Sequence, residues 1–275
     1  MTKTALVTGA SSGIGEETAR TLHRLGYTVY AAARRTDRLQ KLANGGIHAL
    51  AMDVTDDKSM TSGIDSIIAE TRRIDVLVNN AGYGSYGAIE DVPLDEARRQ
   101  FEVNLFGLGR LTQLVLPHMR AQKFGTIINI SSMEGRLTTP LGGWYHATKY
   151  AVEALSDALR METAPFGINV VVIEPGGIRT EWSGIAADHL EETAEGSAYA
   201  SQIKAVANSM RSESTNNRQS PPSVIADTVE KIVTARKPRT RYVVGFAAKP
   251  LVTLRRILPD RAFDRVISAA LGVRR

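Results

Sequence analysis

Apolar strand-like runs alternate with amphipathic helical stretches, a glycine-rich turn follows the first run, and polar residues recur at the ends of later runs. Together these observations predict an α/β fold: a single-domain, Rossmann-like, doubly wound parallel sheet with helices on both faces. At 275 residues the chain can bury one large core, and no linker-like stretch divides it. Its 43% hydrophobic and 23% charged residues place it among ordinary soluble globular proteins.

The first run, Thr4 to Thr8, leads straight into Gly9-Ala10-Ser11-Ser12-Gly13-Ile14-Gly15. A helix follows with Ala19, Leu22 and Leu25 on its inner face, Gly26 stops it, and Thr28 to Ala33 is the second strand. This strand, glycine turn, helix and strand form the phosphate-binding half of a dinucleotide fold. Glycines allow a tight turn and close backbone approach, and the helix N-terminus offers free N–H groups to an anion. The spacing is Gly-x-x-x-Gly-x-Gly rather than Gly-x-Gly-x-x-Gly, so it is the position after the first strand that carries this reading. NAD-binding sites place an acid at the end of the second strand to hold the ribose 2′-hydroxyl. Here that place reads Ala33-Arg34-Arg35, which suits a 2′-phosphate by charge-assisted contact and predicts NADP(H). The alternative is a solvated basic turn, against which the missing acid argues independently.

The alternation continues. Ile47 to Met52 reads as a third strand ending in Asp53-Val54, Asp57 to Thr71 as a helix, and Ile74 to Val78 as a doubly buried strand ending in Asn79-Asn80-Ala81-Gly82. One long helical region is expected from about Pro93 to Ala121, with Asn104 midway and with Gly107 and Gly109 permitting close packing. Thr126 to Ile130 delivers Ser131-Ser132, and Tyr145 to Ala164 reads as a helix with Ala151, Leu155, Ala158 and Leu159 at apolar spacing. Asn169 to Ile173 ends in Glu174-Pro175-Gly176-Gly177-Ile178-Arg179-Thr180. Every candidate site residue falls at or just beyond the C-terminal end of a strand, where open parallel sheets bind ligands.

Tyr145 and Lys149 stand four residues apart and so share a helix face. A cation beside a phenol favours the phenolate and brings its pKa down toward the working range. Ser132 is then placed to hold a substrate oxygen while Tyr145 moves the proton. Tyr-x-x-x-Lys alone is weak, since a surface lysine stem packed across a half-buried tyrosine gives the same pattern.

Composition narrows the classes. A net charge of +5, from 34 basic and 29 acidic residues, suits an anionic cofactor, while the absence of one basic stripe with interleaved aromatics argues against nucleic acid. With no cysteine, disulfides, thiolate catalysis and cysteine-ligated metals are excluded. Histidines 23, 48, 118, 146 and 189 show no metal-ligand pairing, so no metal is expected. There is no signal peptide and no apolar run approaching about 20 residues, so a cytoplasmic protein without stable membrane insertion is expected.

From Thr4 to about Thr180 the chain resembles the short-chain dehydrogenase/reductase family in its shorter, single-domain form. The resemblance rests on Thr8-Gly9-x-x-x-Gly13-x-Gly15, Asn79-Asn80-Ala81-Gly82, Asn104, Ser132, Tyr145-x-x-x-Lys149 and Pro175-Gly176, all in order. It implies a catalytic set of Asn104, Ser132, Tyr145 and Lys149, with Tyr145 as general acid/base and Ser132 positioning the substrate oxygen. Lys149 would lower the Tyr145 pKa and hold the nicotinamide ribose, and Asn104 would anchor a water chain refilling the proton. It further implies cofactor contacts from Gly9, Ser11, Ser12, Gly13, Ile14 and Gly15 at the phosphates, Asp53 and Val54 at adenine, and Asn80, Ala81 and Gly82 at the adjoining ribose. Pro175, Gly176, Ile178 and Thr180 would meet the nicotinamide amide. Self-association to a homodimer or homotetramer, through the helices carrying Asn104 and Tyr145, is implied as well.

Beyond Thr180 the resemblance loosens. Residues 181–220 are polar and show little periodicity, where the family carries a substrate lid. Trp182, Met133, Leu141 and Trp144 are candidate pocket walls. A helix from Val224 to Ala235 and a last strand at Tyr242 to Val244 precede a helical extension of residues 247–275. Its second part places Phe263, Val266, Ile267, Ala270 and Leu271 on one face. It is read as packing on the protein, an oligomer contact or a membrane-surface helix, the first being expected. The tail and the loop after Glu174 resemble most the branch of 17β-hydroxysteroid and retinol dehydrogenases. The sequence thus predicts an NADP(H)-dependent oxidoreductase interconverting a mainly apolar carbonyl and its alcohol. A non-catalytic NADP sensor is the alternative, though it has no need of a proton relay.

Overall fold

The computed structural model describes residues 2–212 and 217–273; parts of the expected lid (213–216) and of the extension (274–275) lie outside the described residues. Seven parallel strands form one sheet in the order β3-β2-β1-β4-β5-β6-β7. They are β1 (Thr4–Thr8), β2 (Thr28–Ala33), β3 (His48–Ala51), β4 (Val76–Asn79), β5 (Gly125–Ile130), β6 (Ile168–Pro175) and β7 (Arg241–Val244). From β1 the chain winds one way to β3, then crosses back to β4 and winds the other way, leaving a switch point beyond the C-terminal ends of β1 and β4.

The period of two along each strand divides the core. Ala5 and Val7 of β1 pack with Leu22 of α1 (Gly13–Arg24), Leu39 of α2 (Thr36–Ala43) and Ile225 of a later helix. Leu6 faces the other way, against Ile64 of α3 (Asp57–Thr71) and Leu111 and Val115 of α5 (Gly107–Gln122). Helix α2 leaves no apolar period to read, because only Leu39 and Leu42 of its eight residues are buried.

The long helix expected from Pro93 to Ala121 is not continuous. Helix α4 (Leu94–Phe101) enters a π-helical turn, Glu102–Phe106, before α5. There the Gly107 N–H reaches back five residues to the Glu102 carbonyl. The inserted register coincides with Asn104, which is 2% exposed.

After β5 a short 3₁₀ turn (Met133–Gly135) leads to α6 (Gly143–Thr163), which carries Tyr145 and Lys149. Residues 181–220, expected to be largely irregular, instead hold α7 (Trp182–Glu192) and α8 (Ala200–Arg211). Their apolar faces are narrow: Ala186 and Leu190 of one meet Ile203 and Val206 of the other beside Tyr86, Leu141 and Tyr145. Helix α9 (Ser223–Thr234) and β7 complete the sheet layer. The extension forms α10 (Ala248–Ile257) and α11 (Asp260–Ala270), which bury Val252, Phe263 and Ile267 against Leu137. It therefore packs on the protein. Val266 and Ala270 depart from the expected face, both being exposed.

Helix α6 is fixed to the sheet by polar groups as well as by packing. Arg241 of β7 donates to Glu153 Oε2 at 3.0 Å and Asp157 Oδ2 at 2.7 Å, and lies 3.3 Å from Glu174 at the end of β6. Arg136 adds contacts of 3.8 Å to Glu153 and 3.6 Å to Glu174. Burial, and then the Glu153 charge beside it, hold the Glu174 carboxyl above the usual carboxylate range. Deeper in, Asn79 Nδ2 donates to Asn129 Oδ1 at 2.9 Å and Asn129 Nδ2 to Ser156 Oγ at 2.9 Å, linking β4, β5 and α6.

The two glycines of α5 do different things. A Cβ at Gly107 would collide with the Val54 carbonyl oxygen and stand 3.0 Å from Val54 Cβ, whereas one at Gly109 would meet only Leu155 Cδ2 at 3.9 Å. Gly107→Ala should therefore cost about 1–3 kcal/mol of unfolding free energy. Gly109→Ala should gain up to about 1 kcal/mol from helix propensity. Urea unfolding of both variants tests this, and equal effects would contradict the packing described.

Candidate active site

The C-terminal strand ends open onto one cavity of about 760 Å³. Every predicted site residue lines it except Gly15 and Asn104. Gly15 sits behind the wall, where a Cβ would strike the Gly9 carbonyl and lie 2.6 Å from Asn80 Nδ2. Gly9 and Gly13 take positive φ, +64° and +55°, a conformation that favours glycine. Ser12 precedes α1 without a side-chain cap, so the first-turn N–H groups are left to face the cavity end of the helix. The turn is braced from β4: Asn80 Nδ2 donates to the Thr8 and Gly9 carbonyls at 2.9 and 3.2 Å, and Thr8 Oγ1 accepts from the Asn80 and Ala81 N–H groups at 3.0 Å each. Thr180 closes from the far side, its Cγ2 being 3.0 Å from where a Gly13 Cβ would stand.

Arg34 and Arg35 project from the end of β2 into the same cavity, both exposed. Arg35 Nη2 lies 3.5 Å from Ser11 Oγ. Among the described residues neither guanidinium forms a salt bridge, although the neighbouring Arg38 pairs with Glu181 at 2.9 Å. Two unpaired cations flanking a glycine turn fit a phosphorylated ribose. Asp53, by contrast, already accepts from Thr55 N at 2.9 Å and Thr55 Oγ1 at 2.8 Å, leaving its second oxygen toward the cavity side chains.

The reacting end is built by β5, α6 and the π turn. Ser132 caps the 3₁₀ turn, its Oγ accepting from Glu134 N at 3.1 Å. It also hydrogen-bonds the Tyr145 side chain. Tyr145 is 6% and Lys149 7% exposed. Lys149 Nζ donates to the Ile130 carbonyl at 3.0 Å and stands 5.7 Å from the centre of the Tyr145 ring. Burial brings the Lys149 ammonium down to about 8, against the pull of Glu153 and Glu134. The expectation that Tyr145 is lowered is not met in the protein alone. Burial, and then the Glu134 charge, raise the phenol above its ordinary value, with only the Ser132 hydrogen bond acting the other way. Desolvation of so deeply buried a phenol outweighs the cation one helical turn away, whose Nζ stands 5.7 Å from the ring centre.

Asn104 does not enter the cavity. Its Oδ1 accepts from Tyr83 N at 3.0 Å, and its Nδ2 donates to the Tyr83 carbonyl at 3.0 Å and to Thr148 Oγ1 at 3.1 Å. Thr148 Oγ1 in turn donates to the Tyr145 carbonyl at 2.7 Å. Gly82 fills the gap between, since a Cβ there would stand 3.1 Å from Asn104 Oδ1 and 3.8 Å from Lys149 Nζ.

Sequence reasoning missed Glu134, Tyr86, Tyr83 and Thr148, which match no short motif. Of the expected pocket walls, Trp182 and Met133 line the cavity, while Leu141 lies in the lid core and Trp144 is off the wall. Trp182 lies at the centre, its ring tilted to that of Tyr145 at 5.3 Å and edge-on to that of Tyr86 at 5.9 Å. Its indole stands where a Cβ on Gly84 would be, a constraint visible only once the lid is placed.

Residues 3–190 match the family model described as short chain dehydrogenase. A probable short-chain type dehydrogenase/reductase, VdlC of Helicobacter pylori, is 35% identical over 263 residues, covering 94% of each chain. The 3-ketodihydrosphingosine reductase of Bacteroides thetaiotaomicron is 34% identical over 98% of each chain. The NADPH-dependent 3-dehydrocapnine reductase of Ornithobacterium rhinotracheale is 35% identical over 95% of each. Among solved structures, a short-chain dehydrogenase from Streptomyces avermitilis superimposes with a TM-score of 0.82 at 31% identity, covering 100% of this chain and 99% of that one. A metagenomic short-chain oxidoreductase in complex with NADP gives 0.69 at 27% identity, covering 88% of this chain and 96% of that one. The chain belongs to the short-chain dehydrogenase/reductase family, whose members are oxidoreductases.

Proposed function

We propose that the protein is an NADP(H)-dependent oxidoreductase that interconverts a mainly apolar ketone or aldehyde and its alcohol, working as a reductase. The observation that carries this reading is the convergence of Ser132, Tyr145 and Lys149 at the open end of a cavity whose other end holds a glycine turn and two unpaired guanidiniums. Two of the relatives are named as reductases, one of them NADPH-dependent, which supports both the direction and the cofactor.

The glycine turn and the α1 N-terminus hold the pyrophosphate, Arg34 and Arg35 the 2′-phosphate, and the segment from Pro175 to Thr180 the nicotinamide end. Asp53 and Val54 flank the adenine side. When bound, NADPH supplies the hydride. Ser132 donates a hydrogen bond to the substrate oxygen, and Tyr145 transfers its proton to that oxygen as charge develops there. The raised phenol is suited to this direction, because the protonated form is the one that must donate. Lys149, its Nζ 5.7 Å from the ring centre, stands beside the phenolate that remains. Asn104 and Thr148 hold the polar wall along which solvent returns the proton. Asn104 is a positioning residue in this scheme. Exposed Phe106, Leu155 and Met161 support self-association through the α4–α5 and α6 surface. NADPH-driven reduction fits the cytoplasm.

The test is NADPH consumption across carbonyls graded from small aldehydes to long-chain ketones. Wild type should turn over at least one class, and Tyr145→Phe should lower that turnover at least about 100-fold while retaining NADPH binding. Unimpaired turnover by Tyr145→Phe sinks the mechanism. NADPH binding without any turnover would favour a cofactor sensor.

Cofactor choice is tested separately. Arg34→Ala/Arg35→Ala should weaken NADPH on the order of 10- to 100-fold, through lost charged hydrogen bonds, and leave NADH nearly unchanged. Equal weakening of both, by fluorescence titration, would remove the 2′-phosphate assignment.

A further inference from the structure

Glu134 stands at the reacting end with no part in the proton transfer. It follows Ser132 by two residues on the same 3₁₀ turn, and the Ser132 hydroxyl accepts its N–H at 3.1 Å. Its side chain is 14% exposed and lines the cavity. The carboxylate accepts from the Tyr86 hydroxyl at 3.1 Å and lies 3.6 Å from His146 Nε2. Among the described residues no lysine or arginine comes within salt-bridge distance of it, whereas Glu153 and Glu174 are each faced by two arginines.

Its close partners are thus a phenol hydroxyl and a histidine ring, and a nearly buried carboxylate faced by no lysine or arginine is stabilised by a cation that arrives with the ligand. Its charge also raises the adjacent Tyr145 phenol, so a cation brought beside it would ease formation of the phenolate once the proton has been given up. Its surroundings are apolar and aromatic. The Tyr86 ring lies 5.7 Å from that of Tyr145 and 5.9 Å from that of Trp182, and the cavity continues past Ile185, Val206, Met210 and Leu271.

We propose that the substrate is an amphiphilic amino ketone, with an ammonium group one or two carbons from the carbonyl held by Glu134 and an apolar chain lying under the lid. The spacing follows from the turn: the group that positions the substrate oxygen and the carboxylate are two residues apart, so the ammonium must sit close to the reacting carbon. In the reaction the carbonyl carbon gains hydride from NADPH, the oxygen gains the Tyr145 proton, and the amine is unchanged. The ammonium also offsets the Glu134 charge when the phenolate forms. A neutral ketone leaves the carboxylate desolvated and unpaired, which is discrimination against it. This inference rests on the carbonyl-reductase reading.

The experiment compares kcat/KM for 2-aminododecan-3-one, its N-acetyl derivative and dodecan-3-one, using NADPH with wild type, Glu134→Gln and Tyr145→Phe. Wild type should prefer the free amine at least about 30-fold over both uncharged ketones, and Glu134→Gln should erase that preference. If Glu134→Gln does not fold, the N-acetyl comparison in wild type decides. Equal rates for all three ketones overturn the proposal, as does a Glu134→Gln variant that slows all three alike, which marks Glu134 as a brace for Tyr86. In both those cases Tyr145-dependent turnover of dodecan-3-one leaves the reductase reading standing. No Tyr145-dependent turnover of any of the three overturns both.

Discussion

A lysine ammonium 7% exposed must be paired, hydrogen-bonded or deprotonated, and the site depends on how Lys149 meets that requirement. Among the described residues its hydrogen-bond partner is a neutral carbonyl, that of Ile130 at the end of β5. A neutral acceptor holds the ammonium without cancelling its charge, so the charge remains available to the phenol one helical turn away. For this to work, α6 must keep a fixed register against β5. The Asn79–Asn129–Ser156 ladder and the Arg241–Glu153–Asp157 cluster, gripping neighbouring positions of the helix, supply that register. The π turn contributes in the same sense, turning Asn104 inward to grip Tyr83 and Thr148 behind Lys149.

The sheet was legible in the sequence because a doubly buried parallel strand leaves an unbroken apolar run, as at Val76 to Val78 and Val170 to Ile173. The glycine turn, Ser132, Tyr145 and Lys149 were legible because the chemistry demands those residue types at those spacings. What escaped did so for identifiable reasons. Helix α2 buries two side chains, and α7 and α8 bury a few small or aliphatic residues against each other beneath a polar surface, so neither leaves a strong period. The π turn inserts a register that apolar spacing cannot distinguish from a continuous helix. Glu134 and Tyr86 are 48 residues apart and meet only in the fold.

The direction of the Tyr145 shift is the instructive disagreement. Helical spacing correctly puts a cation beside the phenol, but it says nothing of burial, and burial raises the phenol while lowering the ammonium. The pair is therefore arranged for a phenol that stays protonated until charge is delivered to the site. Helices α7, α10 and α11 help to bury the site, with Trp182 beside the ring and Ile267 and Leu271 on the cavity wall.

The most direct measurement is a spectrophotometric titration of Tyr145, taken as the difference between wild type and Tyr145→Phe, with and without saturating NADP⁺. The account predicts no Tyr145 ionisation below about pH 10 without cofactor, the unperturbed value for a phenol. With NADP⁺ the midpoint should fall by at least about one unit, and Lys149→Met should abolish the fall. A midpoint indifferent to NADP⁺, or a fall that persists in Lys149→Met, would contradict it.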